Sequence, residues 1–134
     1  DMAFSWSKML SFEGETGPYA QYTHARACSV LRKAAPDLDK VDYALLEDDV
    51  SAALVSAIGA FPAAVYSAMD KNEPYLVSRQ VIAVCQAFNR FYYEQRIMAD
   101  EPALKNTRLA LTEAARQTIR NGLYLLGIEA PERM

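Results

Sequence analysis

Tyr19, Tyr22, Arg26 and Lys33 have side chains that could bind by stacking and by charge. At the roughly 100° per residue of an α-helix they fall, with Ser29, on one stripe. Ala20, Ala27, Cys28, Leu31 and Ala35 face the other way. Flat rings interleaved with cations suit single-stranded nucleic acid, because bases stack on the rings and phosphates meet Arg or Lys. The same stripe also fits tyrosines that flank an apolar core, with the cations as its solvated edge. Spacing alone favours this second reading.

Other residues offer less chemistry. His24 is the only histidine and falls near the apolar side of the same helix, which reads as a hydrogen-bonded packing residue. Catalysis by it would need a Ser or Cys partner that the sequence does not mark. Glu13 and Glu15 could pair for acid–base work, yet two acids around a glycine in a loop read as solvated. Cys28 and Cys85 lack neighbours at metal-ligand spacing and sit among apolar residues, the pattern of buried free thiols. The sequence holds no glycine-rich phosphate loop, metal cluster or nucleophile motif. No catalytic residue and no metal ligand is expected in this chain.

The stripe is preceded by a shaped segment, SFEGETGPYAQY, from Ser11 to Tyr22. Gly14 and Gly17 are expected to bend an acidic loop through backbone angles that other residues resist. Thr16 suits an N-cap and Pro18 the first helical turn. The segment thus builds a loop and then launches a helix with aromatics on its first turn.

The 134 residues are enough for one compact domain. A content of 51% hydrophobic and 23% charged residues is that of a globular chain, not a disordered one. The net charge of −3 withholds the support that a basic balance would lend to nucleic-acid binding, so local patches must carry that reading. No signal-peptide pattern is expected, and no apolar run is expected to approach the ~20 residues of a membrane span. Because it starts at Asp1 without Met, the chain is expected to be a piece of something larger.

The pattern is helical throughout, with no clean period-two alternation. A short turn is expected over Ser5–Leu10. A first long helix should run from about Pro18 to Ala35, followed by an acidic connection from Asp37 to Asp49. A second helix carries Val50, Leu54, Val55 and Ile58, and Pro62 forces a break near Gly59–Phe61 before a third helix to about Lys71. A fourth spans Glu73 to about Met98, with Val77, Val81, Val84, Phe88 and Phe91 in one arc, Tyr92 at its edge and Tyr93 opposite. A fifth runs from about Pro102 to Leu126 and stops at Gly127. Several long amphipathic helices with short connections predict an all-α helical bundle, here of about five main helices in one domain over residues 1–134.

Three stretches resemble the C-terminal domain of arginyl-tRNA synthetases: SFEGETGPYAQYTHARACSVLRKA from Ser11, FNRFYYEQRIM from Phe88, and TRLALTEAARQTIRNGLYLLGIEAPERM from Thr107 to the end. Pro36–Tyr75 matches by pattern alone. The resemblance implies an all-helical anticodon-binding domain of the DALR type, which holds the anticodon arm of arginine tRNA. It implies a separate Rossmann-type domain in the parent enzyme that uses ATP, with Mg, and arginine. The motifs of that domain are missing here: Lys8-Met9 is followed by Leu10. This chain alone is therefore expected to catalyse nothing and to need no cofactor. Carried over by position, the tRNA-facing residues are the loop Ser11, Phe12, Glu13, Gly14, Glu15 and Thr16, then Tyr19, Tyr22 and Arg26, then Tyr92, and Met134 at the end. Arg96 stands where some relatives carry an aromatic, and suits a phosphate instead of a stack. The family reading adds a cytoplasmic location, no DNA and no membrane. The alternative is a helical protein-interaction module that has left tRNA behind.

Overall fold

The computed structural model describes residues 5–11 and 14–134. Among them there are six α-helices, two 3-10 turns and no strand. Helix α1, Trp6–Met9, is the short turn expected at the start. Helix α2, Gly17–Lys33, opens as the sequence predicts. The Thr16 hydroxyl accepts the Tyr19 N–H at 3.1 Å and donates to the Ser11 carbonyl at 2.5 Å. One side chain thus caps the helix and ties it to the preceding loop. Gly14 does supply a left-handed turn, with φ of +83°. Gly17 does not: it is the first residue of α2, and only Gly14 and Gly127 among the described glycines have positive φ.

Between Pro36 and Asp48 the acidic connection is more built than a solvated run. Asp37 and Asp42 cap 3-10 turns at Leu38–Lys40 and Tyr43–Leu45. The long sixth helix pins this segment near its start and at its middle. Asn106 Oδ1 accepts the Asp37 N–H at 2.8 Å, and the buried Thr107 hydroxyl accepts the Asp42 N–H at 2.9 Å. Asp48 then caps α3, Asp49–Gly59, accepting both the Ser51 N–H and its hydroxyl.

Helix α4, Phe61–Lys71, follows after a single residue, Ala60, with Pro62 in its first turn and a left-handed Asn72 at its end. Contrary to the expectation from sequence, Asp49–Lys71 has the length and composition of a membrane span, although it is two short helices. Val50 and Leu54 are turned onto the core, while Tyr66 and Met69 stay exposed.

Helix α5, Tyr75–Glu94, is the hub, packing on α2, α3, α4 and α6. Its expected arc is the core: Val77, Val81, Val84, Phe88 and Phe91 are all buried. It ends at Glu94 and not near Met98. Gln95 turns extended because its amide is used sideways, with Nε2 donating to Asp48 at 3.1 Å and Oε1 accepting from Arg108 at 2.6 Å. Arg108 also donates to the Arg96 carbonyl, so side-chain bonds replace the helical ones.

Helix α6, Pro102–Leu125, closes the bundle. Ile128 N–H reaches the Leu123 carbonyl and Gly127 N–H the Tyr124 carbonyl, the paired bonds of a glycine stop, with φ of +70° at Gly127. At Gly122 the absent Cβ lets α5 approach. A Cβ there would lie 2.1 Å from Val81 Cγ2.

Candidate nucleic-acid interface

The candidate interface lies where α2, the end of α5 and the C-terminal tail meet. Arg26, half-buried on α2, is its centre. The guanidinium carbon lies 5.0 Å from the Tyr22 ring centre and 5.1 Å from both Tyr92 and Tyr93. Three rings so close to one cation place it in the attractive range of their faces. Tyr92 and Tyr93 meet edge to face at 5.5 Å, and Tyr92 in turn leans on buried Phe88. The α5 core thereby fixes the rings that hold the α2 arginine.

Asn89, one turn before Tyr93, completes the mount. It accepts from Arg26 at 2.6 Å through Oδ1 and donates through Nδ2 to the Tyr19 hydroxyl at 2.9 Å and to Thr23 at 3.0 Å. The buried Thr23 hydroxyl passes its own proton to the Tyr19 carbonyl.

Two hollows flank this mount. One, about 640 Å³, is lined by Gly14, Tyr19, Tyr22, Arg26, Asn89, Tyr93 and Met134, and is mostly apolar. The other, about 660 Å³, shares Tyr22, Arg26, Tyr93 and Met134 but adds Ser29, Arg32, Lys33, Tyr92 and Arg133. Tyr22, Tyr93 and Arg26 thus form a shared wall, with Arg32, Lys33 and Arg133 on the second side only, an arrangement that suits a base on one side and phosphates on the other.

The tail is held in place by α2. Gln21 donates to the Glu129 carbonyl at 2.9 Å and Arg32 to the Glu132 carbonyl at 2.8 Å. Between them His24, buried as a packing residue, bonds the Pro131 carbonyl. Burial holds its pKa below the usual 6.5, so it stays neutral near pH 7. These bonds carry Met134 to the ring cluster. Cys28 and Cys85 are buried and free, and burial pushes the Cys85 thiol up to about 12. Among the described residues no group of three or more His, Cys, Asp or Glu could hold a metal ion.

The structure brings Gly14, Tyr19, Tyr22, Arg26, Tyr92 and Met134 together. Ser11 and Thr16 hold the loop onto α2, and Phe12 and Glu13 lie outside the described residues. Glu15 is exposed and lines a separate hollow with Tyr75, Ser78 and Arg79. Arg96 lines neither cavity and pairs with Asp100 through two bonds of 3.0 and 3.1 Å. Sequence reasoning missed Asn89 and Tyr93. A polar residue between Phe88 and Phe91, on the flank of a buried arc, was the available signal for Asn89.

Fold and site define a helical-bundle domain with an aromatic and cationic surface where α2, α5 and the tail meet. Residues 20–134 match the family described as the DALR anticodon binding domain, and the chain belongs to it. It is similar along its whole length to the arginine–tRNA ligase of Clostridioides difficile, at 48% identity over 135 residues, and to arginine–tRNA ligase 1 of Bacillus cereus, also at 48%. It spans about a quarter of those relatives, 24% of each. Among solved structures, the arginyl-tRNA synthetase of Thermus thermophilus matches 93% of this chain and 22% of its own, with a TM-score of 0.78 and 36% identity. The Plasmodium falciparum enzyme matches in fold, with a TM-score of 0.84 at 23% identity over 100% of this chain and 24% of its own.

Proposed function

We propose that this domain holds the anticodon arm of arginine tRNA as part of a longer arginine–tRNA ligase. The observation that carries the reading is the position of Arg26. Its charge is set among three tyrosine rings, at the wall between an apolar hollow and a cationic one. A loop base stacks beside Tyr22 and Tyr93 in the first, and the strand's phosphates pass Arg32, Lys33 and Arg133 in the second. The net charge of −3 is no obstacle, since these cations sit on one face. Arginine, ATP and Mg belong to a separate catalytic domain of the same longer protein, with this domain as the RNA-holding part. The location is cytoplasmic, with neither membrane nor DNA as a partner.

The test is titration of the anticodon stem-loop of arginine tRNA, with Tyr22→Ala beside the wild type. One lost base–ring stack is worth about 1–3 kcal/mol, or roughly five- to 150-fold in affinity. Unchanged affinity removes Tyr22 from the interface. Capture of a protein partner with no RNA bound turns the reading toward an interaction module.

A further inference from the structure

Asn89 fixes the direction of the hydrogen bonds it shares with Arg26, Tyr19 and Thr23. A guanidinium can only donate, so the atom 2.6 Å from Arg26 must be the amide oxygen. Nδ2 therefore faces Tyr19 and Thr23. Thr23 has already given its proton to the Tyr19 carbonyl at 2.9 Å, so its oxygen accepts from Nδ2. The Tyr19 hydroxyl oxygen accepts from the same nitrogen at 2.9 Å. Among the described residues no acceptor takes the hydroxyl proton of Tyr19, whose side chain lines the hollow beside Asn89. The network thus leaves the Tyr19 O–H as a donor at the edge of the hollow.

We infer that Asn89 is a specificity-determining residue: it sets the Tyr19 hydroxyl as a donor, so the hollow selects a base that offers a carbonyl oxygen or an unprotonated ring nitrogen at that point. This rests on the RNA-binding reading above and adds the chemistry of the base edge that it reads. Stacking alone is sequence-tolerant, because every base has a π-face. A donor at a fixed point is not, because a base edge that presents N–H there leaves two donors facing each other. Asn89 acts through Tyr19 and is a positioning residue, reaching the base only by way of the hydroxyl.

The experiment is a double-mutant cycle in the full-length protein, read as affinity for the anticodon stem-loop and for a set of hairpins with each loop base in turn replaced by an abasic site. Asn89→Asp keeps an acceptor for Arg26 but accepts from Tyr19 as well, turning the hydroxyl proton inward. Tyr19→Phe removes the hydroxyl and keeps the ring, so the inference can still be tested if the aspartate variant folds poorly. Each single change is expected to weaken binding roughly two- to tenfold, the worth of one neutral hydrogen bond. The double variant should lose no more than either alone. On one abasic hairpin, the one lacking the seated base, Tyr19→Phe should bind as the wild type does. Multiplicative losses in the double variant, or a Tyr19→Phe effect that survives at every abasic position, would overturn the inference and leave the RNA reading intact. A wild-type protein that binds no hairpin would overturn both.

Discussion

His24 Nδ1 stands 2.8 Å from the carbonyl oxygen of Pro131, across more than a hundred residues of chain. A carbonyl only accepts, so the ring carries its proton on Nδ1. With Gln21 and Arg32 it makes one face of α2 a rail for the tail backbone at residues 129, 131 and 132. The exposed end of the chain is thereby fixed by a side chain that is itself 1% exposed. Met134 reaches the ring cluster because of bonds made several residues earlier.

The rail should be acid-sensitive. Burial lowers the pKa of His24 most, Arg116 and Arg120 add to the lowering, and the Pro131 carbonyl and Glu132 oppose it. As pH falls below the ordinary 6.5, the unfolded chain takes up the proton before the folded one does. The stability from neutral His24 is therefore fully present above 6.5 and declines as pH falls from there toward the folded pKa. His24→Gln cannot titrate. Urea midpoints at pH 7.5 and 5.5 should show the wild type's advantage over that variant shrinking in acid. An advantage equal at both pH values would refute the account.

Most of the helices were legible because their ends carry local signals. Thr16 with Pro18, Pro62, Pro102 and Gly127 each mark a boundary by backbone chemistry alone, and the arc from Val77 to Phe91 named the core. The boundary at Glu94 was not legible, because what stops α5 is a pair of bonds from Gln95 to Asp48 and Arg108, residues distant in sequence. The stripe of Tyr19, Tyr22 and Arg26 was visible in α2. Its meaning was not, since a helix read by itself shows Arg26 as a solvated cation. Only the packing of α5 on α2 puts Tyr92, Tyr93 and Asn89 around it. Tyr93 looked like the outer face of α5 because the arc of that helix points at α3 and α6, and the contact with α2 lies at its margin.

The contact of α5 with α6 at Gly122 should tolerate no added methyl. At Gly122 an alanine Cβ would lie 2.1 Å from Val81 Cγ2 and 3.2 Å from Phe61 Cε2. Val81 is branched, 2% exposed and unable to swing aside. Overpacking of this kind costs about 1–3 kcal/mol, against about 1 kcal/mol gained from the better helix propensity of alanine. Gly122→Ala should therefore lower the urea midpoint, and Gly122→Ala with Val81→Ala should recover part of the loss. A single variant as stable as the wild type would show that the helices part at no cost.

The two kinds of cation near the interface should differ in their response to salt. Lys33 and Arg133 line the cationic hollow, and neither belongs to an ion pair among the described residues. Arg96 spends its charge on Asp100 outside both hollows. Each phosphate neutralised on a single strand contributes about 0.7 to the slope of log affinity against log salt. Replacing Lys33 and Arg133 together by alanine should flatten that slope by roughly 1.4 if each meets one phosphate. Arg96→Ala should leave it unchanged, because an arginine already neutralised by a carboxylate releases no counterion from the RNA. Stem-loop titrations from low to moderate salt would decide this. A slope that falls for Arg96→Ala and not for the double variant would move the phosphate path from the α2 side of the ring cluster to the turn after α5.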